Sequence, residues 1–408
     1  MSEKRKRVLV VTQTFYPENF KSNDIAFELA KRGYEVDALV SIPNYPEGVY
    51  YKGYGVFKKR KEKINDVNIY RVFQTPRGRK ASSIGLSMYY LTYMFFGSLW
   101  AVWFSIFHKK YDSIFVFQTS PVTQALPAIV LGKLRGIPIY TWVLDIWPDA
   151  VRSNTNNKYI ISLLAKFTDF VYHSSQKILI SSKGFAELVC ERRNFQYKII
   201  YFPNWADDFS KMPKNVSPKL PKGFLIMMAG NLGEAQCLDE VMNVVLLLKD
   251  IKELKWIFVG DGSKKQWLES FISENKLEDV VYLLGRHPAS EMPAYFAKAD
   301  AMLLTLNANK RHLQAVVPAR LQSYMSAGKP VLAMADKGCA EIIRESDCGF
   351  VVPAGNSENL AMIIKNEVMT NLEAFAQKGQ NGYSYYKQHF AKSYCIDNLE
   401  DILNNSDN

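Results

Sequence analysis

No Asp-x-Asp pair, no His-x-x-x-His spacing and no His/Cys cluster occurs in the 408 residues. A carboxylate-held divalent ion and a zinc centre are therefore not expected. A Gly-Lys-Ser/Thr phosphate loop is missing as well, which argues against ATP hydrolysis of the Walker type. The five cysteines, Cys190, Cys237, Cys339, Cys348 and Cys395, are odd in number and form no Cys-x-x-Cys pair. That speaks against a disulfide framework and fits a reducing cytoplasm. The apolar run behind the basic N-terminal cluster is too short for a secretory signal, and no small-residue cleavage site follows it. Acid is scarce too: 40 Asp and Glu face 51 Lys and Arg, a formal net charge of +11. A balance of this kind points to nucleic acid, a membrane surface or a phosphorylated substrate.

What is present is globular: 48% of residues are apolar and 22% charged, with length for two or three domains. Short apolar runs at Arg7–Gln13, Glu35–Ser41, Val67–Phe73, Ser113–Gln118, Pro138–Asp145 and Lys177–Ser182 alternate with helical segments. Such alternation predicts a parallel sheet covered on both faces. Between Trp205 and Gly223 three prolines interrupt the pattern, which reads as a linker over 205–223. The alternation restarts at Phe224–Gly230 and continues through Lys255–Gly260, Val280–Gly285, Ala301–Leu306, Pro330–Ala335 and Gly349–Pro353. The expectation is an α/β protein of two doubly wound, Rossmann-like domains, 1–204 and 224–383, facing a central cleft.

Ligands of such sheets bind beyond the carboxyl ends of the strands. Gly230, Gly233, Gly260, Gly262 and Gly285 all follow strands of the second half. Any one of them is ordinary turn punctuation; the series favours a phosphate or nucleotide in this half. In the first half, the 27 residues from Ala81 to Phe107 contain no charged side chain, long enough to nominate a membrane span. Basic residues flank both ends, and the flanking strands belong to one sheet, so spanning is not expected. Tyr89, Tyr93, Phe96, Trp100, Trp103 and Phe107 recur at spacings of three and four. They form either a core-facing stripe or a ridge dipping into lipid headgroups beside the basic clusters Lys4–Arg7 and Lys58–Lys61.

Five blocks carry a family resemblance: VLVVTQTFYPE, TSPVTQALPAIVLGKLRGIPIYTWVLDIWPDAV, MAGNLGEAQCLDEVM, LGRHPASEMPAYFAKADAMLLTL and VPARLQSYMSAGKPVLAMADKGCAEIIRESDCGFVVPAGN. In this order they resemble bacterial glycosyltransferases of family 4, in the surface-polysaccharide branch of N-acetyl-fucosamine and colanic-acid-type transferases. The resemblance implies a GT-B fold, a nucleotide-sugar donor in the C-terminal domain and an acceptor in the N-terminal one. It further implies retention of anomeric configuration without a metal or other cofactor, and a last segment, 384–408, returning to the N-terminal domain.

By that resemblance Asn231, Gly233 and Gln236 face the donor diphosphate, with Gly260 and Gly262 on the neighbouring loop. Arg286 lies near the nucleotide, and Arg320 supplies charge to phosphate. The family's paired glutamates fall on Ala315 and Ser323, neither of them acidic; Ser323 makes at most a shorter ribose contact, and Glu341 is the candidate substitute. Asp145, closing the strand WVLD, is the candidate acceptor-activating base or orienter, or else caps the turn ahead of Pro148. Glu18, the other catalytic candidate, lies in the first strand-to-helix loop, where relatives carry a glycine pair that is absent here. The reading is a transferase on the cytoplasmic face of the bacterial inner membrane, acting on an undecaprenyl-diphosphate-linked acceptor, with a donor that is UDP-linked. The rivals are an epimerase of the same fold and an inactive sugar- or lipid-binding subunit. No nucleic-acid module is present, so a nucleic-acid partner ranks last.

Overall fold

Runs rich in Val, Ile, Leu and Phe form most of the fourteen strands found among the described residues, the pattern of strands buried on both faces. The computed structural model describes residues 5–79, 82–152, 155 and 157–405. By its contacts the chain divides into two units, one of Met1–Ser181, Ala186–Phe202 and Ile396–Asn408, the other of Ser182–Phe185 and Pro203–Cys395.

The first unit holds β1 (Arg7–Val11), α1 (Lys21–Lys31), β2 (Glu35–Ser41), β3 (Lys61–Ile64), β4 (Val67–Val72), α2 (Ser83–Phe107), β5 (Ser113–Gln118) and α3 (Leu126–Arg135). It continues with β6 (Ile139–Val143), α4 (Asp149–Arg152), α5 (Lys158–Ser174), β7 (Lys177–Ile180), α6 (Phe185–Cys190, whose first residue falls in the other unit) and β8 (Ile199–Tyr201). The sheet order is β3-β4-β2-β1-β5-β6-β7-β8, parallel except for the edge hairpin β3–β4. The strand order reverses between β1 and β5, the switch point where open sheets bind ligands.

The second unit runs β9 (Phe224–Ala229), α7 (Leu238–Leu247), β10 (Leu254–Val259), α8 (Lys265–Glu274), β11 (Val281–Gly285), α9 (Met292–Lys298) and β12 (Ala301–Thr305). Then come α10 (Arg311–Ala315), α11 (Ala319–Ser326), β13 (Val331–Met334), α12 (Lys337–Glu345), β14 (Gly349–Val352), α13 (Ser357–Ile363) and α14 (Leu372–His389). Its all-parallel order β11-β10-β9-β12-β13-β14 reverses between β9 and β12. Alternate side chains of β9 enter opposite cores, Ile226 and Met228 on one face and Leu225 and Met227 on the other. The α/β expectation of two doubly wound parallel sheets is met.

Two expectations are corrected and one gains detail. The stretch 205–223, read as a linker, has no regular elements and is anchored along its first residues. Trp205 is buried, Tyr386 donates to the Ala206 carbonyl and Tyr383 to Asp208. The return begins after Ser384: α14 stays in the second unit, and only Ile396 onward joins the first. There α15 (Lys392–Asn404) is held by Arg32, which bridges Asp397 at 2.6 Å and Glu400.

The aromatic line, third, is not one exposed ridge. Tyr89 and Tyr93 are buried, Phe96 and Trp100 half-buried, and only Trp103 and Phe107 exposed. The Tyr93 hydroxyl lies 3.0 and 2.8 Å from the carbonyls of Thr12 and Leu39, fixing α2 to the sheet. The helix is apolar all round, so its buried face is chosen by fit rather than by polarity.

Candidate active site

Two loops meet at the carboxyl end of β9. Gly230 has φ +123° and Gly260 φ +152°, and a Cβ on Gly260 would stand 1.8 Å from the Gly230 carbonyl oxygen. One on Gly262 would stand 2.3 Å from the Leu232 carbonyl. These glycines let the loop after β10 press against the loop after β9, a packing duty the sequence does not disclose. Gln236 is buried and its Oε1 accepts the Gly233 N–H at 3.1 Å. Its carbonyl accepts the Thr305 hydroxyl, so Gln236 braces the loop, whereas Asn231 is exposed on it.

Arg320 enters from the first turn of α11. Its Nη2 lies 3.6 Å from where a Cβ on Gly230 would stand, and its Nη1 is buried without a hydrogen-bond partner. The same guanidinium neighbours Tyr324, whose hydroxyl pairs with the Ala229 backbone at 3.1 Å and whose phenol burial pushes up against the pull of Arg320. The guanidinium thus meets the Tyr324 hydroxyl yet keeps one buried N–H group open, which is costly unless an anion completes it. Lys264, missed by the sequence reading, is the second cation of this region. It lies 3.5 Å from Glu234 and 3.4 Å from Asp239 and caps the Trp267 ring, so it ties the two loops together.

The remaining donor-side candidates are dispersed. The Ser323 hydroxyl donates to the Ala319 carbonyl one turn back, at 3.2 Å. Glu341 is exposed on α12, and Arg286 is exposed beyond the edge strand β11. Among the described residues no group of three or more His, Cys, Asp or Glu side chains could hold a metal.

In the first unit the loops after β1, β5 and β6 converge. Asp145 Oδ2 accepts from the Ser120 N–H and Oγ–H, both at 2.8 Å, while the Trp147 indole donates to the same Ser120 oxygen at 3.1 Å. The carboxylate is thus oriented through one oxygen and half-buried. Burial pushes the Tyr90 phenol up; Arg77 opposes the rise and Asp145 adds to it, so the three share one neighbourhood. Around them lie buried polar atoms with no partner: Gln13 Nε2, Gln118 Oε1, Thr14 Oγ1 and Thr123 Oγ1. Gln118 donates to the Asp145 carbonyl at 3.1 Å, and Gln124 accepts the Gln13 N–H at 3.0 Å. A cluster of unpaired donors and acceptors at a switch point suits a hydroxyl-rich ligand. The signal for it in the sequence was two apolar runs each closing on glutamine.

Glu18, the second catalytic candidate, is held by backbone amides on three sides. It is 2% exposed, its Oε1 accepting the N–H groups of Asn44 and Tyr45 at 2.7 Å and its Oε2 that of Phe15 at 3.2 Å. It pins one loop to the next. Burial outweighs these bonds and pushes its pKa from 4.5 to about 7. A carboxyl raised in the folded state adds stability below its unfolded pKa, and that stability is lost as pH rises toward 7. Thermal unfolding of the wild type should therefore fall more steeply from pH 4.5 to pH 7 than that of Glu18→Gln, by at most about 3 kcal/mol. Parallel slopes would contradict this.

Residues 211–384 match the model of the family described as Glycosyl transferases group 1. The chain is 27% identical to the probable glycosyltransferase WbjE of Pseudomonas aeruginosa over 260 residues, 60% of this chain and 64% of that protein. It is 31% identical to the amylovoran biosynthesis glycosyltransferase AmsK of Erwinia amylovora over 111 residues, 27% of each. The chain thus spans less than two thirds of the length of either relative. The structure of HepE from Anabaena, solved with UDP and glucose, matches 98% of this chain and 100% of its own at a TM-score of 0.67 and 15% identity. Two doubly wound parallel sheets, with the group 1 glycosyl transferase match confined to the second unit, give this chain the GT-B fold.

Proposed function

We propose that this chain is a retaining, metal-independent glycosyltransferase of polysaccharide assembly. It moves a sugar from a nucleotide diphosphate donor, UDP-linked, to an undecaprenyl-diphosphate-linked acceptor at the cytoplasmic face of the inner membrane. The transferred sugar is an N-acetylated deoxyhexosamine or a hexose, and the product belongs to capsule, O-antigen or exopolysaccharide. The observation that carries the reading is the buried, partnerless Nη1 of Arg320 beside Gly230. A guanidinium held at a strand-end glycine loop offers a departing pyrophosphate a charge-assisted partner without a metal. Asp145, steadied by Ser120, takes the acceptor hydroxyl's hydrogen bond, with Gln13 and Gln118 meeting the acceptor's other polar groups. The names of WbjE and AmsK support the transferase class and the polysaccharide product, and UDP in HepE supports the donor.

The test is thermal-shift ranking of UDP, GDP and ADP in EDTA, followed by transfer from nucleotide sugars to short-chain lipid-diphosphate acceptors. UDP should stabilise most, and transfer should survive chelation. No nucleotide binding and no transfer across a broad panel overturns the reading. A second reading, a subunit that binds donor without turnover, draws on the Ser323 hydroxyl being turned to its own helix. UDP binding without transfer to a confirmed acceptor would select it.

A further inference from the structure

The outward side of α2 is a continuous apolar line. Met88, Leu91, Phe95, Leu99, Val102 and Ile106 recur every three or four residues and are 41–65% exposed, a run of about 27 Å at helical rise. A hollow of about 300 Å³ lined by Leu99, Trp100 and Trp103 opens beside it. The helix is long and apolar enough to cross a bilayer, but its other side is committed: Tyr93 reaches the sheet, and a Cβ on Gly97 would stand 2.7 Å from Pro127 of α3.

The face extends on both flanks. On α5, Ile160, Leu163 and Phe170 are 36–69% exposed. α3 joins the two helices, with Lys133 4.6 Å over the Phe170 ring and Arg135 donating to the carbonyls of Ser105 and His108 at the end of α2. On the far side Arg60 stands 5.9 Å over Trp100, and Phe57, just ahead of it, is 96% exposed.

Charge decides what covers this surface. Lys58, Lys109, Lys110, Lys133, Lys158 and Lys166 are all exposed around it. α2 and α3 contain no acidic residue, and Asp169, the acidic residue of α5, is engaged by Arg192 and Arg193. A second copy seated here would set cations against cations. An apolar face with a cationic rim complements a bilayer carrying anionic headgroups. We propose that the first unit docks flat on anionic lipid through the outward faces of α2 and α5 and the Phe57 turn, an inference that rests on the lipid-linked-acceptor reading and moves the lipid-facing line of α2 to Met88, Leu91, Phe95, Leu99, Val102 and Ile106.

The test is co-sedimentation of the full chain with vesicles of phosphatidylcholine containing phosphatidylglycerol, and with vesicles of phosphatidylcholine alone. Binding should require the anionic lipid and weaken with salt. Leu91→Glu/Leu99→Glu on α2 and Leu163→Glu on α5 should each lower it about tenfold or more. These positions are exposed, and an unchanged UDP-induced thermal shift verifies that each variant is folded. A wild type that ignores anionic vesicles overturns the proposal, as does binding indifferent to both variants. Loss of a solution dimer in the variants, without vesicle binding by the wild type, also overturns it by assigning the face to a second copy. UDP stabilisation persisting through any of these failures leaves the transferase reading standing; vesicle binding by a chain that no nucleotide stabilises separates the opposite case.

Discussion

Arg320→Ala weakens UDP binding by about 10- to 100-fold, because charge-assisted hydrogen bonds to phosphate are worth roughly 1.5–3 kcal/mol. The wild-type Nη1 has no partner to lose within the protein, but the same guanidinium also meets the Tyr324 hydroxyl, so the discriminating readout is the lost nucleotide shift, not the unliganded melting temperature. A purely structural arginine would lower the melting temperature and leave the nucleotide shift alone. Isothermal titration with UDP, alongside unliganded thermal unfolding, checks both halves. Arg320→Lys should recover only part of the affinity, since an ammonium cannot reproduce the planar fork. Full UDP affinity in the alanine variant would remove Arg320 from the donor site.

Asp145→Asn is the second large effect, and it falls on the other unit. The amide can still accept from Ser120 through one oxygen, so the loop geometry at 2.8 Å should persist and stability should change little. What is lost is a charged acceptor for the incoming hydroxyl, and removing a positioned proton acceptor costs about 10²–10⁴-fold in turnover. Steady-state transfer should show kcat reduced by that order with the UDP-induced thermal shift unaltered. Unchanged turnover would return Asp145 to the plainer duty of fixing the turn before Pro148.

Much of the architecture could be read directly from hydrophobic runs. Twelve apolar segments announce twelve of the strands, because strands buried on both faces are built mainly of apolar residues. The two that escape notice have physical reasons to do so. β3 reads Lys-Glu-Lys-Ile, an edge strand kept charged against further pairing, and β8 is only three residues long. Which side of α2 faces outward is illegible for a related reason: when both sides of a helix are greasy, spacing gives two equally good lines.

At the site, residue type was legible and role was not. Glu18 stands out as an acid in a strand-to-helix loop, but that it serves three backbone amides depends on Asn44 and Tyr45, more than twenty positions away. Gln236 matches a ligand position and turns out to hold Gly233. Arg320, by contrast, keeps its buried Nη1 without a partner, which is why it survives as the strongest candidate.

On the proposed reading, the interlock of Gly230 with Gly260 bears on any attempt to alter donor preference. With 1.8 Å between one backbone oxygen and the place of the other's missing methyl, neither turn can be reshaped while its neighbour is kept. A transplant taken from a relative with different nucleotide taste would have to bring both turns as a matched pair; moved singly, the graft collides with its host before it ever meets a sugar.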